Sequence, residues 1–455
     1  MTAPLRVAVN GFEYFAPVIL SPIMPSDRRN SPKRLIIQNG RVIDPAHGVD
    51  RVTNVLISEG RIAALDAHPS PHDEILDASG KIVAPGLIDM HVHLREPGRE
   101  EDETIASGTA SALAGGFTAV AVMPNTTPPI DTQAAVEFIQ HQAARADNCH
   151  VYVIACVSKN REGKELAEIG QLVQAGVVGF SDDGAPVFDA ELMRRAYEYS
   201  QMFDRPIMNH EEVLELTRGA VMHEGLVSLQ LGLVGMPATA EEIMISRDIA
   251  LAEATGGRLH VLHISTAGAV ELVRDARRRG IRVTTEVCPH HFTLTDECMR
   301  TFDSNYKMSP PLRTQRDVEA MIAGLVDGTI DAICTDHAPH APEKKMREID
   351  QAPFGILGLE TCLPLTITHL IEPGILDWPT AIAKLTLHPA KILNIPKGHL
   401  GVGADADITI IDPKVEWTYD VSKSPSKSRN TPYHGAKFIG RASTVIVGGV
   451  VKYRV

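Results

Sequence analysis

The middle of this 455-residue chain alternates short apolar segments with longer amphipathic ones. The apolar segments are rich in β-branched residues and have the length of buried strands. They cover 82–90, 117–124, 150–157, 177–181, 206–209, 259–264, 281–287 and 330–335. The segments between them have the apolar spacing that is typical of helices. Apolar strands that alternate with helices predict a parallel sheet that is buried on both faces.

The number of these units selects the architecture. Doubly wound open sheets typically contain about six strands, whereas eight parallel strands and their helices close into a barrel. We therefore predict an α/β fold with a (β/α)8 barrel of the TIM type over residues 86–395. An open doubly wound sheet is the alternative.

The two ends of the chain have a different pattern. Residues 34–85 contain short β segments with turns at Gly40 and Gly60, and residues 396–455 contain ADITIID and STVIVGGVVKY. Each end is too short to bury a core alone, so we expect both to combine in one small β-sandwich domain. Residues 1–33 carry Pro, Ser and Arg without periodicity, and we expect a loosely ordered extension there.

The composition argues against several classes of protein. The net charge of −13 and the lack of a basic cluster argue against a nucleic-acid surface. No apolar run reaches the length of about 18 residues that spans a bilayer, and FAPVILSPIM lacks the charged flank of a signal peptide. The six cysteines form no C-x-x-C pair and are typical of buried thiols in a reducing compartment. We expect a cytoplasmic protein that binds neither nucleic acid nor membrane.

Polar side chains follow the ends of the predicted strands. The first strand runs into DMHVHLREPG, in which His91 and His93 lie two residues apart and Arg95 follows. The second ends in MPNT, and later strands end in SDDG, MNHEE, LHIST and CTDHAPH. Because the carboxyl ends of all barrel strands open on one face, where active sites form, these side chains converge.

This set of residues has the chemistry of a metal centre. Alternate residues of a strand point to one side, so His91 and His93 face together. Imidazole and carboxylate groups are ligands of zinc. The candidate ligands are His91, His93, Asp183, His210, His263 and Asp336. A catalytic zinc usually has about three protein ligands, so six predict two zinc ions bridged by one carboxylate.

Each of these residues alone also has a structural explanation. Asp182 or Asp183 would cap the following helix, His263 would be a core histidine, and Arg95 a surface charge. Their convergence from five strand ends favours the metal site. Two metal ions can activate water near neutral pH, and Asp336 can take and return a proton. His290 and His291 are expected to support the metal ligands or to pack, and His337 is not expected to be a ligand because its neighbour Asp336 points inward.

Motifs over most of the chain also form a known set. They are PGLIDMHVHLREPG, GGFTAVAVMPNT, GFSDDGAPV, MNHEE, LHVLHISTAGAVELVRDA, TTEVCPHHFTLTDE, YKMSPPLR, CTDHAPH and APFGILGLET. From about residue 35 to the C-terminus the chain resembles the bacterial type I dihydroorotases of the amidohydrolase superfamily. The resemblance implies a reversible cyclisation of N-carbamoyl-L-aspartate to L-dihydroorotate in de novo pyrimidine biosynthesis.

The resemblance also implies a role for each site residue. One zinc would have His91, His93 and Asp336 as ligands, and the other His210 and His263, with Asp183 as the bridge. The implied substrate contacts are His93, Arg95, Asn125, Ser309, His340, Phe354 and Gly355. Among these, Arg95, Asn125 and His340 would hold the substrate carboxylate, while Asp336 would be the acid and base.

One motif departs from the family pattern. The family usually has KMNPPLR, and here Ser309 replaces the asparagine with a shorter hydroxyl side chain. This change bears on substrate affinity or loop closure and leaves the metal ligands untouched.

Two other functions stay open. A cyclic amidohydrolase of the dihydropyrimidinase or allantoinase type acts on substrates without a ring carboxylate, which would leave Arg95 without a partner. A non-catalytic scaffold for aspartate transcarbamoylase would have lost metal ligands, and this chain keeps all six. The resemblance further implies a homodimer, with aspartate transcarbamoylase as an additional partner.

Overall fold

The computed structural model describes Val7–Val9, Phe12–Tyr14 and residues 34–455. The first two ranges are strands that pair antiparallel with each other. The remainder of the predicted extension over 1–33 lies outside the described residues. None of the helices in the described part of the chain has both the length and the hydropathy that a bilayer crossing requires.

Eight parallel strands form one sheet in which sequence neighbours are also spatial neighbours. They are Leu87–Val92, Phe117–Val122, His150–Ala155, Gly179–Phe180, Ile207–Asn209, Leu259–Val261, Val283–Val287 and Ala332–Ile333. The chain after the eighth strand returns to the first through a parallel bridge between Val92 and His337. There the amide of His93 donates to the carbonyl of His337 (2.9 Å). The predicted (β/α)8 barrel is confirmed.

Helices cover the outside of these strands and share their main apolar core. The principal helices are Ile105–Gly115, Gln133–Ala146, Ile169–Gln174, Ala190–Gln201, Ala238–Thr255, Ala267–Arg278, Gln315–Asp327, Leu359–Thr366, Trp378–Leu385 and Leu387–Leu393. A π-helical turn, Ile367–Ile371, follows Leu359–Thr366. Shorter helices lie in the loops: Leu214–Thr217, Leu226–Leu231, Pro289–Thr293 and Pro342–Lys345. Four 3-10 turns complete the set: Lys159–Arg161, Asp296–Thr301, Ser304–Tyr306 and Val421–Lys423.

One of the segments between the predicted strands is only partly helical. Residues 163–176, between the third and fourth predicted strands, have helical apolar spacing, but the helix begins only at Ile169. Gly163 has a positive φ of 64°, and Leu166 pairs with Ser158 as an isolated β-bridge. The start of the pattern therefore forms a turn that a helix cannot accommodate.

The predicted strand over 82–90 is wrong as a single element, because it is divided at Gly86. Ile82–Pro85 pairs with Ile408–Thr418 in the second sheet, and Leu87–Val92 begins the barrel. A Cβ atom added at Gly86 would lie only 2.0 Å from Oγ1 of Thr118. The chain thus crosses from one sheet to the other at a position with room only for glycine.

The second sheet is built from both ends of the described chain, as predicted. Its strands are Arg34–Asp44, Val49–Ser58, Arg61–Leu65, Glu74–Asp77, Ile82–Pro85, Ile408–Thr418, Lys437–Val447 and Val450–Arg454. Ile408 and Ile410 contribute to a small separate core, while Ile411 contributes to the main core shared with the barrel. The domain boundaries at 34–85 with 396–455 and at 86–395 stay predictions. Two short strands in a barrel loop, Met222–His223 and Gly235–Met236, pair with each other.

Candidate metal centre and active site

The first barrel strand presents two histidines around a bulge. Asp89 pairs with Val120 and Val92 pairs with Val122, so one extra residue lies on the first strand. Val92 packs into the main apolar core, and His91 and His93 lie on either side of it. Both histidines are buried.

Asp183 lies at the centre of a buried cluster. Its Oδ1 atom is 3.7 Å from Nε2 of His91, 3.6 Å from Nδ1 of His210 and 3.8 Å from Nε2 of His263. Its Oδ2 atom is 3.5 Å from Nε2 of His93. Asp183 therefore belongs to two groups of potential metal ligands, one with His91 and His93 and one with His210 and His263.

Asp336 completes the cluster from the end of the eighth strand. Its Oδ1 atom is 2.9 Å from Nε2 of His93 and 3.5 Å from Nε2 of His91. Asp336 and His263 both have positive φ, at 47° and 28°. A backbone conformation that L-residues rarely adopt is often retained at functional sites. The structure thus brings all six predicted ligands together.

Neighbouring residues with similar side chains lie apart from the cluster. The carboxylate of Asp182 accepts hydrogen bonds from the amides of Val157 (2.8 Å) and Ser158 (3.2 Å). The ring of His337 lies 3.4 Å from Glu103, and His291 contacts the carbonyl of Pro310 (3.0 Å). Asp182 and Asp183 are adjacent in sequence, but only Asp183 points into the cluster.

Three of the histidines hold their outer ring nitrogen against an oxygen acceptor. The contacts are His91 Nδ1 to Glu286 Oε1 (2.7 Å), His93 Nδ1 to Asn125 Oδ1 (2.8 Å) and His210 Nε2 to Glu212 Oε2 (2.8 Å). A nitrogen that faces a carboxylate or carbonyl oxygen donates its hydrogen, which leaves a lone pair on the other nitrogen. The inner nitrogens of these histidines are therefore acceptors that face the carboxylates of Asp183 and Asp336.

Acceptors that face each other away from water require either a proton or a metal cation between them. In the described residues, Nε2 of His91 is buried without a hydrogen-bond partner. Two ligand atoms bound to one tetrahedral zinc at about 2.1 Å lie about 3.4 Å apart. The distances from Asp183 to its histidines, 3.5 to 3.8 Å, are close to this value. The residues present therefore fit divalent metal ions.

Burial and charge shift the pKa values of these groups in opposite directions. Burial alone would raise the pKa of Asp183, but its contacts with His210 and His263 hold that pKa well below its usual value. Burial would likewise raise the pKa of Asp336, and the charge of His91 outweighs this effect. Burial lowers the pKa of His91, but Asp336 and Glu286 raise it to about 9. The cluster thus favours positive charge beside its carboxylates, which a metal cation supplies.

Two supporting carboxylates were missed by the sequence reasoning. Glu286 is a fully buried residue in the apolar seventh strand, where it contacts His91 and lies 3.4 Å from Nε2 of His260. Glu212 follows His210 by two residues and contacts its ring. A charged residue inside a buried strand is the signal that could have identified Glu286.

The cluster opens into a cavity of about 570 Å³. Every predicted substrate contact lines it: His93, Arg95, Asn125, Ser309, His340, Phe354 and Gly355. The hydroxyl of Ser309 lies 3.5 Å from Oε2 of Glu212. Arg95 is buried and forms no salt bridge among the described residues, and its Nε donates to the carbonyl of Pro339 (3.1 Å). The cavity therefore combines the cluster of potential metal ligands with an arginine side chain, Arg95, that has no carboxylate partner.

Two lysines hold the wall that carries Phe354 and Gly355. Lys345 is buried and donates to the carbonyls of Pro353 (3.0 Å) and Gly355 (3.1 Å). Lys307 lies 4.6 Å from the centre of the Phe354 ring and donates to the carbonyl of Ile349 (2.7 Å). Burial lowers the pKa of Lys345 to about 7.

A barrel with this histidine and aspartate cluster at its strand ends defines a cyclic amidohydrolase, and solved structures of that class are similar. An L-hydantoinase (dihydropyrimidinase) from Arthrobacter aurescens matches with a TM-score of 0.83 and 26% identity, covering 92% of this chain and 95% of its own. A D-hydantoinase (dihydropyrimidinase) from a Thermus species matches with a TM-score of 0.78, 26% identity and the same coverage.

Sequence comparison identifies the family within this class. The model of dihydro-orotase-like proteins matches residues 80–269. A dihydroorotase from Pelotomaculum thermopropionicum is 52% identical over 92% of this chain and 98% of its own length. A dihydroorotase from Syntrophotalea carbinolica is 51% identical over 92% of this chain and 99% of its own. The chain belongs to the dihydroorotase family.

The contrast between Asp182 and Asp183 gives a test of cation binding. Zinc added to chelator-treated wild-type protein should raise Tm by about 3 °C for each bound ion at a hundredfold excess over Kd, because it binds only the folded state. Asp183→Asn should lose most of this rise, whereas Asp182→Asn should keep it despite any loss of basal stability. Thermal unfolding with and without zinc measures both. An equal rise in the two variants would mean that Asp183 is not a ligand.

Proposed function

We propose that the chain is a zinc-dependent dihydroorotase that interconverts N-carbamoyl-L-aspartate and L-dihydroorotate in pyrimidine biosynthesis. The observation that carries the proposal is the single cavity that is lined both by five of the six cluster residues and by the buried Arg95. The cluster suits hydrolysis or formation of a cyclic amide, and Arg95 suits a substrate that carries a carboxylate. Both features agree with the names of the relatives.

The proposed metal complement is two zinc ions. The first would have His91, His93 and Asp336 as ligands, the second His210 and His263, with Asp183 shared between them. A mixture of imidazole and carboxylate donors supports zinc, and the position of Asp183 between two pairs of histidines supports two ions. When bound, zinc supplies Lewis acidity and makes water more acidic.

Apart from His93, the proposed substrate contacts lie outside the cluster. In the proposed complex the guanidinium of Arg95 pairs with the substrate carboxylate, and Asn125 and His340 donate to the same group. Burial lowers the pKa of Arg95 to about 10, so the side chain stays positively charged at neutral pH. Phe354 and Gly355 cover the ring, and Ser309 offers one hydroxyl in place of the usual asparagine.

Asp336 is the proposed proton carrier. It lines the cavity while its Oδ1 atom contacts His93, so it can face both the cluster and the substrate. In the hydrolytic direction it accepts a proton from the attacking water and gives it to the departing ring nitrogen. In the synthetic direction it takes the proton from the carbamoyl nitrogen and returns it to the leaving water.

A dihydropyrimidinase is the second candidate, because solved proteins with that name share the fold. Its substrates lack the ring carboxylate, so they would leave Arg95 unpaired. A non-catalytic scaffold is disfavoured, because all six cluster residues are present and meet. The homodimer, the aspartate transcarbamoylase partner and the cytoplasmic location rest on the family resemblance and on the composition, and we retain them as proposals.

Replacing Arg95 separates the first two candidates. Wild-type protein should hydrolyse dihydroorotate and leave dihydrouracil almost unchanged. Arg95→Met should raise KM for dihydroorotate about 10- to 100-fold, because it removes hydrogen bonds to a charged group. Arg278→Met, at a side chain that is 70% exposed, is the matched control for loss of an arginine. Turnover of dihydrouracil alone, or an unchanged KM, would favour the dihydropyrimidinase.

Replacing Asp336 tests the proton carrier. Asp336→Asn should lower kcat for dihydroorotate at least about 100-fold, because the amide cannot accept the proton. The other five cluster residues should still retain metal, which elemental analysis of the same sample measures. Activity within tenfold of wild type would place the proton carrier elsewhere.

A further inference from the structure

The ring of His340 lies between two arginines. Its Nδ1 atom is 3.1 Å from Nη2 of Arg99, and its Nε2 atom is 3.4 Å from Nη2 of Arg95. All three residues line the cavity, and His340 is buried. Arg99 follows the HLREPG motif directly, and neither the motif nor the proposed function assigns it a role.

The contacts of His340 specify one tautomer. An arginine side chain can only donate, so Nδ1 of His340 accepts from Arg99 and carries no hydrogen in the neutral ring. The ring hydrogen is therefore on Nε2, which lies 2.7 Å from the carbonyl oxygen of Phe354. Because a protonated Nε2 cannot accept, the Nη2 hydrogens of Arg95 remain available for another acceptor.

Arg99 is itself held in place by a buried carboxylate. Its Nε and Nη2 atoms lie 2.8 Å and 2.6 Å from the same oxygen of Asp102. Asp102 is fully buried, accepts from the amide of Ala341 (2.8 Å) and pairs with Lys344 (2.9 Å). The Arg99 side chain is 32% exposed and so borders both the cavity and solvent. Its orientation toward His340 is thus set before any ligand binds.

The surrounding charges keep His340 neutral. Burial, with the neighbouring charges of Arg95 and Lys345, lowers the pKa of His340 to about 2. A neutral imidazole can donate from only one nitrogen, so the tautomer decides whether His340 can donate into the cavity. With the hydrogen on Nδ1, the lone pair of Nε2 would face the carbonyl of Phe354 and repel a carboxylate.

We propose that Arg99 is a positioning residue that fixes His340 as an Nε2–H donor for the substrate carboxylate. Arg95 and His340 then present donors side by side. When substrate binds, the Nε2–H group of His340 keeps its hydrogen and changes its hydrogen-bond acceptor from the carbonyl of Phe354 to the substrate carboxylate. The identity of the anion rests on the proposed function, while the tautomer rests only on the contacts of His340.

The tautomer can be observed directly in the zinc-loaded protein. Nitrogen-15 NMR of histidine-labelled protein distinguishes a protonated from an unprotonated ring nitrogen, and His340→Asn assigns the signals. Wild type should show the hydrogen of His340 on Nε2. Arg99→Met should shift His340 to a mixture of its two neutral tautomers, and Arg99→Lys, which keeps a donor, should restore the Nε2–H form. An unchanged tautomer in Arg99→Met would overturn the proposal.

Steady-state kinetics test the consequence for the substrate. Arg99→Met should raise KM for dihydroorotate about three- to tenfold, the effect of one hydrogen bond, with kcat within about twofold. In the H340N background the same change should have almost no further effect on KM, because Arg99 acts through His340. Arg278→Met is again the control for the loss of one arginine, at an exposed position away from the cavity.

The outcomes separate this proposal from the proposed function. An equal rise of KM with and without His340 would mean that Arg99 binds the substrate directly, which contradicts a positioning role. An unchanged KM in Arg99→Met would contradict it as well. Wild-type protein that is inactive on dihydroorotate would overturn the proposed function, and the NMR experiment would still decide whether Arg99 fixes the tautomer.

Discussion

The carboxylate of Asp183, with histidines on both sides, is the feature on which the site depends. Imidazole lone pairs and carboxylate oxygens are all acceptors, so their close packing away from water is unfavourable unless cations join them. The barrel holds them together, because the five strand ends that carry these six residues open on one face. The buried Glu286 and the partly buried Glu212 orient the rings, so groups outside the cluster select which ring nitrogens face a metal ion.

Irregular backbone at the strand ends and a buried carboxylate, Asp89, hold the six cluster residues in position. The first strand carries a bulge between Asp89 and Val92, and Asp336 and His263 adopt rare backbone conformations. Asp89 is buried below the site and accepts from the amide of Thr335 (3.2 Å), which joins the first strand to the end of the eighth. The guanidinium of Arg95 is available to a ligand, because its polar neighbours are the carbonyl of Pro339 and the neutral imidazole of His340 rather than a carboxylate.

The sequence predicts much of the fold and most of the cluster, and the exceptions have physical causes. Strand count and the residues at strand ends suffice for the barrel and for the convergence of the six candidate ligands. The division at Gly86 is hidden because both strands are apolar and the crossing needs one glycine. The turn before Ile169 is hidden because its residues have helical spacing. The contacts of Glu286 with His91 and of Arg99 with His340 join residues about two hundred positions apart, so only tertiary structure brings them together.

The proposed position of Asp183, between two metal ions, can be seen in crystals of the zinc-loaded protein that are measured on both sides of the zinc absorption edge. We expect two anomalous peaks, one on each side of the Asp183 carboxylate, each with bonds of about 2.0–2.2 Å to the nitrogen and oxygen ligands. A single peak that does not touch Asp183, or zinc bound elsewhere in fully active protein, would contradict it.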